Sequence, residues 1–268
     1  MKRLVSNTAA VVFLVLFLPY TMTLLINGKQ GIHREEELPV LEYQVLSCLM
    51  SGDHSWMEDG TLDLMAILYR TECVRTGEAG EVKDPGAYEE SYGRMYDAVM
   101  RTRGQVITID GACRELPYHA VSSGRTREGR LLGEPYTYTA AVDCPHDRES
   151  EDYLHRYRMS AEGLISILGT ESLEDMTLVR DDAGYVTHVE IAGREWQGEA
   201  FRALLHLPSS CFYVDMDEAE GEVCITVKGS GHGFGMSLCT ADYMVREGAE
   251  LSEIIQTFYQ GAACITIP

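Results

Sequence analysis

Val223-Cys-Ile-Thr-Val-Lys-Gly-Ser-Gly-His-Gly-Phe-Gly-Met-Ser-Leu-Cys-Thr-Ala-Asp-Tyr-Met-Val-Arg246 contains three textures in succession. A β-branched run ends at Lys228, four glycines alternate at 229, 231, 233 and 235, and apolar residues at helical spacing follow from Met236. Glycines allow positive φ and close approach of a ligand or a second backbone. A phosphate loop is excluded, because no Gly-Lys-Ser/Thr ending follows, and the alternating glycines do not give the Gly-x-Gly-x-x-Gly of a dinucleotide fold. An extended path through the loop sets His232, Phe234 and Met236 on one face. Ser237 is placed to cap the next helix. Two readings of His232 stay open: a ligand or proton carrier, or a side chain satisfied by a backbone carbonyl in a strand-to-helix crossing.

On the C-terminal side the spacing of apolar residues predicts helix over Met236 to Gly248 and again over Leu251 to Tyr259. On the N-terminal side, strands are expected at 177–179, 186–191, 211–214 and 223–227, with short helices at 169–175 and 198–207. Residues 105–111 alternate and end in a turn, which predicts a hairpin whose returning strand is 117–123. Farther back, Leu41, Val45, Leu46 and Leu49, then Leu62, Met65, Ala66, Tyr69 and Cys73, recur at helical spacing. A third helical pattern follows Asp84-Pro85. Helices, then strands, then helices predict an α+β class.

The chain has 268 residues and a formal charge of −20, which argues against a nucleic-acid partner, since phosphate backbones demand basic surfaces. Lys2, Arg3 and Lys29 are the only charges in the first 30 residues, leaving 19 basic and 42 acidic side chains beyond, a balance of −23. Residues 4–28 carry no charge and 10–26 are almost wholly apolar, close to the roughly 20 residues that span a bilayer. Neither the apolar core of about 7–15 residues nor the small-residue cleavage site of a signal peptide is clear there. The expectation is a single N-terminal transmembrane helix (1–29, in contact with lipid over 4–28), a polar linker (30–37) and one extracytoplasmic domain (38–268) at the cell membrane. Eight cysteines are scattered without a Cys-x-x-Cys, compatible with disulfides or with buried thiols.

Several stretches together resemble one family. SGHGFGMS (230–237) followed by ADYMVREGAELSEIIQTFYQG (241–261) resembles the C-terminal signature of the stage II sporulation protein D and amidase-enhancer LytB family. RTRGQVITIDGACRELPYHAVSSGRT (101–126) is similar to its "TRGQVLTYNGKP…YHSSSGGYT" stretch, LPVLEY (38–43) to its "VPLEEY" opening, and LDLMAILYRT (62–71) to its "LKAQAVAART" helix. The resemblance runs in order over about residues 38–262.

It implies a membrane-anchored protein of the sporulation septum. Such a protein acts on stem-peptide-free peptidoglycan glycan strands with a partner amidase and a polytopic sporulation membrane protein, and needs no cofactor. The implied reaction is lytic transglycosylation between N-acetylmuramate and N-acetylglucosamine, one carboxyl serving as acid and then as base. The family's catalytic glutamate stands eight residues beyond the tyrosine that matches Tyr43, and here that position is Ser51. Asp53 is the nearest shifted acid, while Glu42 and Glu58 read as solvated charges. Two expectations follow: a catalytically silent glycan-binding relative, or an active transglycosylase using Asp53. Matched motifs nominate Tyr43, Arg70, Ser122, Ser123, Gly124, His232, Gly233, Gly235 and Ser237 for glycan binding. Some family members hold zinc near the serine loop; Cys113, His119, Cys144 and His146 are the weak candidates, without the usual two-to-four-residue ligand spacing, and no metal is expected.

Overall fold

The computed structural model describes residues 38–52, 54–77, 92–217 and 221–268. Its architecture mixes helix and strand. Three helices open it: α1 (Val40–Ser51), α2 (Asp59–Thr76) and α3 (Tyr92–Arg101). Strands β1 (Gln105–Ile109), β2 (Tyr118–His119) and β3 (Leu154–Ser160) follow, then α4 (Ala161–Leu168), β4 (Thr177–Arg180), β5 (Val186–Ile191), β6 (Arg194–Gln197) and α5 (Gly198–Leu204). The chain closes with β7 (Phe212–Asp217), β8 (Glu222–Lys228), β9 (Met236–Ser237), α6 (Leu238–Arg246), α7 (Leu251–Phe258) and β10 (Ala262–Thr266).

Two apolar clusters organise these elements. The first joins Val45, Leu46 and Leu49 of α1, Leu62, Met65 and Leu68 of α2, Met95 and Val99 of α3, Ile107 of β1, and Ile254 and Phe258 of α7. The second packs Leu164 and Leu168 of α4 and Phe201 of α5 against Val189, Phe212, Ile225 and Val227 of the antiparallel sheets β4-β5-β6 and β3-β8-β7. Each fully buried aliphatic side chain contributes on the order of 1.5–3 kcal/mol.

Buried Arg70 ties the first cluster together. Its Nη2 lies 2.6 Å from Glu42 Oε2, its Nη1 donates to the Gln105 carbonyl at 3.1 Å, and Nη2 also donates to the Val99 carbonyl at 3.2 Å, so one guanidinium joins α1, α2, α3 and β1. Glu42 is therefore a buried partner rather than a solvated charge. Removing either member leaves an uncompensated buried ion, at a cost of about 3–5 kcal/mol.

The expected membrane helix requires correction. Among the described residues no helix is long and apolar enough to cross a membrane. The longest, α2, has 18 residues but carries Asp59, Asp63, Arg70, Glu72 and Arg75, each of which opposes entry into lipid. The class is thus a mixed helix-and-strand fold without a described spanning helix; the anchor and linker assigned to 1–29 and 30–37 lie outside the described residues. Strand pairing also departs from expectation. β1 does not form a hairpin with 117–123 but pairs antiparallel with β10, Gln105 opposite Thr266, and β2 pairs in parallel with β9.

Candidate functional site

The glycine loop is built to let backbones meet. Gly235 has φ +69°, and a Cβ there would lie 1.7 Å from the Pro117 carbonyl oxygen; at Gly233, φ +79°, it would lie 2.3 Å from Tyr185 Cζ. Only glycine fits either place. The loop thereby presses against the segment that carries β2, and Ser237, fully buried, caps α6 with its Oγ accepting from Thr240 N.

Asp147 closes this corner. Its buried carboxylate accepts from Ser122 N at 2.7 Å, Ser237 Oγ at 2.6 Å and Thr240 Oγ1 at 2.6 Å, so one side chain fastens the serine loop to the glycine loop. Charge-assisted bonds of this length are the strong kind. Ser122 is buried, its Oγ accepting from Gly124 N, while Ser123 donates its Oγ proton to the Ala183 carbonyl. Arg127, which the sequence reading missed, stacks 4.1 Å over the Phe234 ring, donates from Nη1 to the His232 carbonyl at 3.2 Å and pairs with Asp181 at 2.6 Å.

Phe234 and Met236 are buried, whereas His232 lines a cleft. Its Nδ1 accepts from Phe234 N at 3.0 Å, which puts the proton of the neutral ring on Nε2. Burial lowers its pKa. His119, at a ring distance of 5.8 Å, hydrogen-bonds the Phe234 carbonyl through Nδ1, and burial, reinforced by His232, lowers its pKa to about 3.

The cleft holds about 400 Å³ and runs between α2 and the segment before β2: Tyr69 and Glu72 on one side, Arg114, Glu115 and Tyr118 on the other, with His232 beside them. Tyr69 and Tyr118 meet edge to face, centroids 6.3 Å apart at 89°, and burial pushes both phenols up, so they remain protonated donors at neutral pH. Glu115 accepts from Tyr136 Oη at 2.6 Å; Glu72 pairs with Arg75. Two carboxylates, two phenols, a guanidinium and an imidazole therefore face one space. Such a set can hydrogen-bond a polyhydroxylated ligand, and the carboxylates offer acid–base chemistry.

Of the residues nominated from the sequence, His232 lines this cleft. Arg70, Ser122, Gly233, Gly235 and Ser237 instead hold the framework, Ser123 and Gly124 shape the neighbouring loop, and Tyr43 is half-buried on α1. Ser51 is exposed at the end of α1, its Oγ donating to the Cys48 carbonyl at 2.7 Å, and Asp53 lies outside the described residues. Tyr69, Arg114, Glu115 and Tyr118 lie within the stretches that carry the resemblance, and Glu72 directly follows one of them, but no spacing within either stretch signals that the two segments share a cleft.

The zinc candidates do not converge: His146 stacks on Tyr243 with centroids 3.6 Å apart, His119 is engaged by the Phe234 carbonyl, and Cys144 is buried. Among the described residues no group of three or more His, Cys, Asp or Glu side chains is placed to hold a metal.

No family model matches the chain. Stage II sporulation protein D of Bacillus amyloliquefaciens is 27% identical over 180 residues, covering 65% of this chain and 52% of the relative. Stage II sporulation protein D of Bacillus subtilis (strain 168) is 26% identical over 181 residues, with the same coverage. The chain spans about half the length of the curated relatives it matches. Together, these two alignments relate the chain to the stage II sporulation protein D family.

Proposed function

We propose that the chain acts in sporulation and binds stem-peptide-free peptidoglycan glycan strands in the cleft beside His232, on the wall side of the membrane, downstream of an amidase that strips the stem peptides. The relatives' names support the sporulation role. The observation that carries the glycan reading is the cleft's lining of Tyr69, Tyr118, His232, Glu72, Arg114 and Glu115. Its volume of about 400 Å³ suits a small ligand segment. Aromatic faces cover the C–H faces of a sugar, while carboxylate, guanidinium and imidazole groups take its hydroxyls.

The test is retention on amidase-treated peptidoglycan. Tyr118→Ala, checked for folding by circular dichroism, is expected to lower retention about tenfold, as loss of an aromatic anchor does at other binding sites. Unchanged retention sinks the reading.

The presence of Glu72 and Glu115 in the cleft favours a second reading, an active lytic transglycosylase. A carboxyl would protonate the glycosidic oxygen, and the resulting carboxylate would take the proton of the C6 hydroxyl as the 1,6-anhydro ring closes. Anhydro-muramyl products that vanish in Glu115→Gln, or in Asp53→Asn, would assign the acid. Retention without products leaves the binding role alone.

A further inference from the structure

Three formally charged side chains line the cleft beside His232, and two of them are already engaged. Glu72 pairs with Arg75, Oε1 lying 2.6 Å from Nη2, and Glu115 accepts from Tyr136 Oη at 2.6 Å. Arg114 is the exception. Its Nε is buried yet donates to no acceptor among the described residues, and its Nη2 lies 3.8 Å from Asp110 Oδ2, beyond hydrogen-bonding distance. A buried donor left without an acceptor costs free energy that an anion in the cleft would return. The backbone that follows Arg114 is pinned: the Glu115 carbonyl accepts from Tyr138 Oη, and the Pro117 carbonyl accepts from Tyr259 Oη at 2.7 Å. The guanidinium is thus displayed from a fixed segment.

We propose that Arg114 recognises the free lactyl carboxylate of muramate and is the residue that tells a stripped strand from an intact one; this rests on the glycan reading of the cleft. On an intact strand the lactyl group is held in a neutral amide to the stem peptide. Hydrolysis of that amide leaves a carboxylate on each stripped muramate. Facing a guanidinium, the change turns a neutral acceptor into a charged one, whose hydrogen bonds are roughly twice as strong, and the planar fork can take both oxygens. Tyr69, Tyr118 and Arg114 border one space of about 400 Å³, so a muramate ring laid against the phenols carries its lactyl arm into the space that the guanidinium faces. Glu72 and Glu115 oppose an anion in the same cleft. Without Arg114, the preference for the carboxylate form should therefore be lost.

The test is retention of the full chain on two forms of one polymer: amidase-stripped glycan, and the same glycan with its lactyl carboxylates converted to methylamides by carbodiimide coupling before the protein is added. The parent is expected to be retained about tenfold better on the carboxylate form, the scale of one hydrogen bond to a charged group. Arg114→Gln, checked for folding by circular dichroism, should lose that preference while still binding the methylamide form as the parent does. Equal retention of the parent on both forms overturns the proposal and leaves glycan binding standing; this comparison requires no folded variant. A tenfold preference that survives in Arg114→Gln overturns the assignment to Arg114. Retention of the parent on neither form sinks the glycan reading, and the recognition of its carboxylate with it.

Discussion

Asp147 lies on a short 3-10 helix, Pro145–Glu149, and is fully buried, and among the described residues no cation pairs with it; a backbone N–H and two hydroxyls donate to it instead. Removing the carboxylate leaves a backbone N–H and two hydroxyls unpaired in the interior. Asp147→Ala is expected to destabilise the protein by about 3–5 kcal/mol, measured by urea unfolding. A loss under about 1 kcal/mol would mean that the donors find other partners. His119 supplies the pH dependence at this scale. Burial and the nearby His232 depress its folded pKa to about 3, against an ordinary 6.5. Below 6.5 the unfolded chain therefore binds a proton that the folded chain refuses. The contribution is whole above pH 6.5 and falls as pH drops toward 3, by at most about 1.4 kcal/mol per pH unit. Replacing the ring by His119→Asn, which keeps a donor for the Phe234 carbonyl, should flatten the stability profile between pH 4 and 6.5 relative to the parent. Parallel profiles would assign the acid sensitivity elsewhere.

At the scale of elements, the glycine loop is where local conformation and packing are inseparable. The Pro117 carbonyl accepts from Met236 N at 3.0 Å and from Tyr259 Oη at 2.7 Å, and a Cβ on Gly235 would displace it from both. Gly235→Ala should thus cost about 2–4 kcal/mol in thermal or urea unfolding, from left-handed strain plus two broken hydrogen bonds. Gly248, φ +86° with nothing within 4 Å of a Cβ, should lose only about 1–2 kcal/mol on the same change. Equal losses would show that strain alone decides. The contrast also marks what was legible in the sequence. Periodicity located α1 and α2, and the alternating glycines marked the loop and His232. The partner of a strand was not legible: β1 alternates as a hairpin strand does, but its partner β10 lies at the far end of the chain. The sequence predicts a helix opening at Gly169 over 169–175, whereas Gly169 ends α4 with φ +64° and Ser160 Oγ opens that helix by accepting from Gly163 N. A glycine at a helix boundary does not announce which side the helix lies on. The cleft was the least legible, since Tyr69, Glu115 and His232 come together only when three separate segments pack.

For the molecule as a whole, the dominant long-range property is its charge. At a net −20, the surface repels other polyanions over roughly a Debye length, about 30 Å at 0.01 M salt and about 10 Å at 0.1 M. Intact peptidoglycan carries the carboxylates of its stem peptides; amidase hydrolysis of the muramyl amide removes them and leaves a lactyl carboxylate on each stripped muramate, so the stripped glycan is less acidic but not neutral. On the proposed function, the acidic surface would disfavour the intact wall more than stripped glycan without requiring any contact in the cleft. Raising salt from about 0.01 M to about 0.1 M is expected to increase retention on intact peptidoglycan by a larger factor than retention on stripped glycan, as measured by sedimentation with the two polymers side by side. An equal rise on both would mean that salt acts on the protein itself. A fall on stripped glycan would place an attractive charge contact, such as Arg114, at the centre of recognition.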